Sequence, residues 1–143
     1  MSPDRVLLVD DEHDFVEVLA DRMRTRGLEV ETAESGPEAI RSVEERMFDA
    51  VVLDLAMPGM DGLETLRRLR EIRPTLQVML LTAKATVPIA VEATRLGAVD
   101  VLEKPTELGE LLAKIREARA ARLQAEDRLS RAEIEEILST RGW

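Results

Sequence analysis

The sequence predicts an α/β domain built on a five-stranded parallel sheet, with a helical extension at its C-terminal end. Three observations predict it. Five short apolar runs are separated by amphipathic stretches long enough to hold a crossover helix. The run Ala50–Leu53 shows no polar alternation, as expected of a strand buried on both faces. Polar residues suited to chemistry stand where the runs end. Strands alternating with helices pair in parallel through right-handed crossovers. Ligands in such folds sit outside the carboxyl ends of the strands.

Arg5–Val9 is the first strand, and it ends in Asp10 and Asp11. The first helix runs from Phe15 to Arg26, with Phe15, Val18, Leu19 and Met23 at helical spacing and Gly27 as its stop. Leu28–Thr32 is the second strand. Ser35, with Glu38 three residues later, has the capping-box pattern that opens the second helix. Ala50–Leu53 is the third strand, closed by Asp54. Met57 to Gly62 is a turn-rich loop. The third helix spans Leu63 to Arg73, turns Leu63, Leu66, Leu69 and Ile72 inward, and is ended by Pro74. Val78–Leu81 is the fourth strand and closes on Thr82; Val87–Leu96 is the fourth helix, stopped at Gly97. Val99–Leu102 is the fifth strand, followed by Lys104-Pro105. The fifth helix runs from Glu107 to about Ala125.

Beyond it, Leu108, Leu111, Ile115, Ala118, Arg122, Ala125, Leu129 and Ala132 keep a 3-4 spacing that Arg122 interrupts. Ser130 and Glu133 form a second capping-box pattern, which predicts a restarted helix with Ile134, Ile137 and Leu138 as its apolar stripe, before Trp143. Such a stripe needs a partner, either the chain's own domain or another molecule.

A chain of 143 residues, 45% apolar, holds one domain with a sizeable core. Cysteine is absent, which excludes disulfides and thiolate metal sites. No apolar run reaches membrane-span length and the start lacks a leader pattern, so a cytoplasmic protein without membrane contact is expected. The net charge is -9. Residues 1–106 carry 21 acidic and 13 basic side chains, and residues 107–143 carry 8 and 7. An acidic body argues against direct nucleic-acid binding. It suits a protein that attracts a divalent cation or a basic partner.

Asp10, Asp11, Asp54, Thr82 and Lys104 all fall on one edge of the expected sheet. Converging carboxylates repel unless a cation is present, and oxygen-only ligands favour Mg²⁺ over zinc. Lys104 adds a cation and Thr82 a hydroxyl, which together suit a phosphoryl group. A carboxylate beside them can act as nucleophile and become an aspartyl phosphate. His13, the single histidine, reads as a solvated first-turn residue, and Met57, Met60 and Met79 read as packing.

The segments LLVDDE (7–12), VVLDLAMPGMDG (51–62), LLTA (80–83) and GAVDVLEKP (97–105) resemble the receiver domain of two-component response regulators, over about residues 4–120. The stretch from Thr82 to Thr106 leans toward receivers of the nitrogen-regulatory type. The resemblance implies a flavodoxin-like (βα)5 fold with strand order 2-1-3-4-5, a receiver at 1–120 and a helical extension at 121–143. It implies that Asp54 is the phospho-acceptor for a histidine kinase or histidine phosphotransfer protein. Asp10, Asp11, Asp54 and the backbone carbonyl of Ala56 would hold Mg²⁺, with Asp11 the more direct of the acidic pair. Thr82, Ala83 and Lys104 would be the phosphoryl-binding and switch set, with Val101 at the family's aromatic switch position. The Lys104–Pro105 peptide would be cis. The chain would be no enzyme beyond catalysing its own phosphorylation and dephosphorylation.

Two residues depart from the pattern. Val101 replaces the usual Tyr or Phe, so the signal is expected to leave through helix four, strand five and the base of helix five, to a homodimer contact that includes the extension. Ala56 has no polar side chain to hold a hydrolytic water, which predicts slow dephosphorylation. Two other readings stay open. The chain can be the receiver of a longer transcriptional regulator. A small aspartate-nucleophile phosphohydrolase fits less well, because Ala56 stands where that family carries its second acid.

Overall fold

The computed structural model describes residues 3–55 and 61–140. Five strands and five helices alternate along them: β1 Arg5–Val9, α1 His13–Thr25, β2 Glu29–Ala33, α2 Gly36–Glu45, β3 Ala50–Leu53, α3 Gly62–Ile72, β4 Val78–Thr82, α4 Val87–Arg95, β5 Asp100–Glu103 and α5 Leu108–Thr140. All strand pairs are parallel and the order is β2-β1-β3-β4-β5, as the resemblance implies. β2 and β5 each lie one residue later than the sequence predicts.

The sheet is covered on both faces, which is why its central strands read as unbroken apolar runs. Leu7, Val9, Val51, Leu53, Val78 and Leu80 point to one side and pack with Ala39, Val43, Leu66, Leu69 and Ala93 of α2, α3 and α4. Val6, Leu8, Ala50, Val52, Met79 and Leu81 point to the other and pack with Val16, Ala20 and Met23 of α1 and Leu111, Leu112 and Ile115 of α5. The period of two along each strand feeds both layers.

Helix ends follow local chemistry. Ser35 caps α2 by accepting the Glu38 N–H, and the Glu38 carboxylate reaches back to the N–H of Glu34. Asp61 and Thr86 cap α3 and α4 in the same way. Gly97 ends α4 at φ 104, in the left-handed region that favours glycine.

The third helix and the tail differ from expectation. Ile72 does not turn inward; it is 38% exposed, because the buried face of α3 is made by Gly62, Thr65, Leu66 and Leu69. Nor does a helix restart at Ser130: α5 is one helix of 33 residues. Residues 119–133 are good helix formers without Gly or Pro, so a serine there is absorbed rather than used as a cap. Ion pairs Arg122–Glu126 and Asp127–Arg131 at i,i+4 add support. α5 therefore continues roughly 33 Å beyond its last buried residue, Ala118. No helix of the described residues is long and apolar enough to cross a membrane.

Candidate functional site

The site is assembled from strand ends. Asp10 follows β1, and its N–H donates to the Ala33 carbonyl at the end of β2 (3.0 Å). Asp54 follows β3, and its N–H donates to the Val9 carbonyl at the end of β1 (2.9 Å). The two aspartates therefore stand on neighbouring strand ends, and both are buried. Thr82, also buried, closes β4, and its carbonyl accepts the Lys104 N–H (2.8 Å). The Lys104–Pro105 peptide is cis.

Gly62 lets α3 start against this edge. A Cβ there would lie 2.4 Å from the Leu55 Cα and 2.9 Å from the Asp54 carbonyl oxygen. Any side chain would push the helix away from the acidic edge, so the glycine that reads as a turn residue also serves the site.

Lys104 is the centre of the electrostatics. Its Nζ lies 2.7 Å from Asp10 Oδ2, 3.5 Å from Glu12 Oε1 and 3.9 Å from Asp54 Oδ2, with the side chain only 12% exposed. Burial alone lowers the pKa of this lysine. The hydrogen bond to Asp10 and the charges of Asp10, Asp54 and Glu12 outweigh that and hold it above its ordinary value, so the ammonium is charged at neutral pH. Oxygens of Asp10, Glu12 and Asp54 lie within 4.8 Å of one another. Among the described residues, one ammonium beside three carboxylates leaves excess negative charge. A hard, oxygen-preferring cation relieves such an excess.

Of the residues the sequence singles out, the structure brings Asp10, Asp54 and Lys104 into contact range and places Thr82 on the same edge. Asp11 is exposed and stands outside the carboxylate trio, where Glu12 takes the third place. Glu12 belongs to the same acidic run as Asp10 and Asp11, and the bend at Asp11, rather than any pattern in the sequence, selects it. The Asp10 carboxylate also accepts the Glu12 N–H (2.9 Å), which fixes this turn. Ala83 is exposed, and Val101 is half-buried against the α2–α3–α4 core layer. Ala56, Met57 and Met60 lie outside the described residues, and Met79 is buried in the sheet. His13 is exposed at the start of α1 and pairs with Glu34 (2.6 Å), which raises its pKa.

Phe15, on the apolar face of α1 and partly buried against the core, is also part of the site. Lys104 Nζ lies 4.3 Å from the centroid of its ring.

Comparison with known proteins adds three findings. The family described as the response regulator receiver domain matches residues 6–116. The transcriptional regulatory protein PrrA of Mycobacterium tuberculosis is 41% identical over 112 residues, 78% of this chain and 48% of that protein. The transcriptional regulatory protein ZraR of Escherichia coli O157:H7 is 38% identical over 115 residues, 80% of this chain and 26% of that protein. The chain thus spans a quarter to a half of the length of these curated relatives. Among solved structures, a CheY-like response regulator receiver domain protein from Methanospirillum hungatei superposes with a TM-score of 0.82 at 27% identity, covering 87% of this chain and 99% of that one. A response regulator protein from Burkholderia pseudomallei, solved with a phosphorylated aspartic acid, a calcium ion and citrate, superposes with a TM-score of 0.75 at 26% identity, covering 97% of this chain and 86% of that one.

Proposed function

The chain belongs to the response regulator receiver domain family, and from that premise we propose that Asp54 accepts a phosphoryl group from a histidine kinase or histidine phosphotransfer protein. The observation that carries the assignment is the position of Asp54: buried at the end of β3, 3.9 Å from the Lys104 ammonium, with Asp10 and Glu12 beside it. A carboxylate oxygen of Asp54 forms the new P–O bond as the P–N bond of the donor phosphohistidine breaks, and the released imidazole takes up a proton. Lys104, Thr82 and Ala83 receive the phosphoryl oxygens. The oxygen-only donor set fits Mg²⁺: Asp10 and Asp54, with Glu12 beside them, would hold it, together with Asp11 and the Ala56 carbonyl that the resemblance implies. Bound there, the ion offsets the charge of the carboxylates and of the phosphoryl group. The protein catalyses its own phosphorylation and dephosphorylation and no other reaction.

Incubation with acetyl phosphate and Mg²⁺, borohydride trapping and mass spectrometry test this. The label is expected on Asp54. It should vanish in Asp54→Ala and when Mg²⁺ is omitted; a label elsewhere overturns the assignment.

The output is a protein contact in the cytoplasm. Val87, Val91 and Val99 are 77%, 63% and 48% exposed on the α4–β5 side, and Leu129, Ile134 and Ile137 are exposed along α5. We place a homodimer on the α4–β5–α5 face and the extension, strengthened by phosphorylation roughly 5- to 150-fold. Sedimentation of the full chain and of one stopped at Arg122, with and without beryllofluoride, reads this directly. A second reading is supported by the lengths and names of the relatives: these residues are the receiver of a longer transcriptional regulator. In either case, with a charge of -9, they do not themselves bind DNA.

A further inference from the structure

We infer that Phe15 is a positioning residue for Lys104, its ring face holding the ammonium at the carboxylate pocket; the inference rests on the phosphoryl-transfer reading above. Lys104 Nζ lies 4.3 Å from the Phe15 ring centroid, well inside the range at which a cation is attracted by an aromatic face. The chain has two Phe, one Trp and no Tyr. The other phenylalanine, Phe48, stands beside Arg5 at the opposite edge of the sheet, so an aromatic ring at this site is a particular feature of α1.

Phe15 also occupies a wall. On one side it lines the small cleft beside Asp10 and Asp54, with Leu81 opposite. On the other it lines an apolar groove of about 260 Å³ with Val18, Pro105, Leu108 and Leu111. Packing alone would be met by any apolar side chain of similar volume.

The ammonium asks for more. It stands 2.7 Å from Asp10 and 3.9 Å from Asp54, so at rest Asp10 holds it. To serve a phosphoryl group on Asp54 it has to exchange one anion for another without swinging into solvent. Lysine is a point charge on a flexible four-carbon stem and does not hold itself in place. An aromatic face attracts the cation without competing as an anion, so contact with the ring persists while the carboxylate partner changes. Near-exclusion from solvent strengthens the contact.

The experiment measures labelling of Asp54 by acetyl phosphate at saturating donor, the Mg²⁺ concentration at half-maximal rate, and the thermal midpoint. Full-length wild type, Phe15→Leu, Phe15→Tyr, Lys104→Gln and the Phe15→Leu/Lys104→Gln pair are compared. Phe15→Leu should label about 3- to 10-fold more slowly, the rate equivalent of losing one such contact, with the half-maximal Mg²⁺ unchanged. Phe15→Tyr should recover the rate to within about twofold. In the Lys104→Gln background, Phe15→Leu should change the rate by less than about twofold, as coupled residues require. The inference is overturned if Phe15→Leu labels at the wild-type rate, if Phe15→Tyr is as slow as Phe15→Leu, or if the loss is undiminished without Lys104. Phe15→Met, unbranched and better able to fill an irregular gap, replaces Phe15→Leu if that variant does not fold. If the wild type labels normally and only these comparisons fail, positioning alone falls. If the wild type takes no label on Asp54, the phosphoryl reading falls and takes the inference with it.

Discussion

β3 has a buried aspartate at each end, and the two are partnered in opposite ways. Asp49, just before the strand, accepts the Arg5 N–H (2.8 Å) and the Arg122 Nη2 (2.7 Å), with Arg119 Nε 3.8 Å away. Asp54, just after it, shares one lysine with Asp10 and Glu12. The first carboxylate lies between two guanidiniums, and the second lies among other carboxylates. A neutralised buried charge is structural: it ties the base of the sheet to α5 where that helix leaves the domain. An under-neutralised cluster is a standing demand for cations, and that demand marks the site. The contrast also accounts for Arg122, which interrupts the apolar spacing of α5 because it serves Asp49.

Substitutions at the two poles should part company. Asp49→Ala is expected to have the largest effect, a loss of about 3 kcal/mol in denaturant unfolding, because it leaves the Arg5 N–H without its acceptor and takes the buried carboxylate from Arg122 and Arg119, which keep their ion pairs with Glu126 and Asp4. A loss below about 1 kcal/mol would mean that the arginines hydrate freely and the pole is not structural. Arg122→Ala leaves Asp49 with Arg119 and Arg5, so a smaller loss of about 2 kcal/mol is expected. Faster hydrogen exchange from residue 119 onward should accompany it.

At the other pole the sign reverses. Asp54→Asn should raise stability by about 1 kcal/mol in metal-free buffer, because it removes like-charge repulsion. Millimolar Mg²⁺ should raise the thermal midpoint of the wild type and do little for Asp54→Asn. Equal Mg²⁺ responses would place the cation elsewhere.

The smallest effect belongs to an exposed cluster on α3. Hydrogen bonds from Arg67 and Arg68 lower the Glu64 pKa to about 2. A carboxyl lowered in the folded state contributes stability above its unfolded value, and that contribution is lost as pH falls from about 4.5 to about 2. Because the group is exposed, solvent screens it. Glu64→Gln should lower the midpoint slightly at pH 7, and the difference from the wild type should shrink to nothing as pH falls to about 2.

The fold was legible because β1, β3 and β4 each announce themselves twice, by an apolar run and by the polar residue at its end. Strand boundaries came within one residue, since both faces are covered and pattern and burial coincide. Helix ends were legible where a cap decides them, as at Ser35. Ser130 carries the same pattern and caps nothing, because a cap matters only where the preceding turn must end. Asp10, Asp54, Thr82 and Lys104 stood out because strand ends converge in this topology. Asp49 gave no such signal: its partners Arg119 and Arg122 lie some seventy residues away and meet it only when α5 crosses the base of the sheet.

The sequence by itself determined the parallel alternation of strands and helices and the edge on which the acidic residues gather, and its resemblance to receiver domains implied the strand order and the identity of the central aspartate. The first two follow from periodicity, crossover connections and residue type, all of which are local or topological. Only the tertiary structure decided that Glu12 rather than Asp11 joins the carboxylate trio, that Phe15 faces the lysine, and that Arg122 serves the base of the sheet. Each of these depends on where a side chain points across a gap between elements distant in the chain. Distances of a few ångströms there decide whether two charges attract, repel or ignore each other.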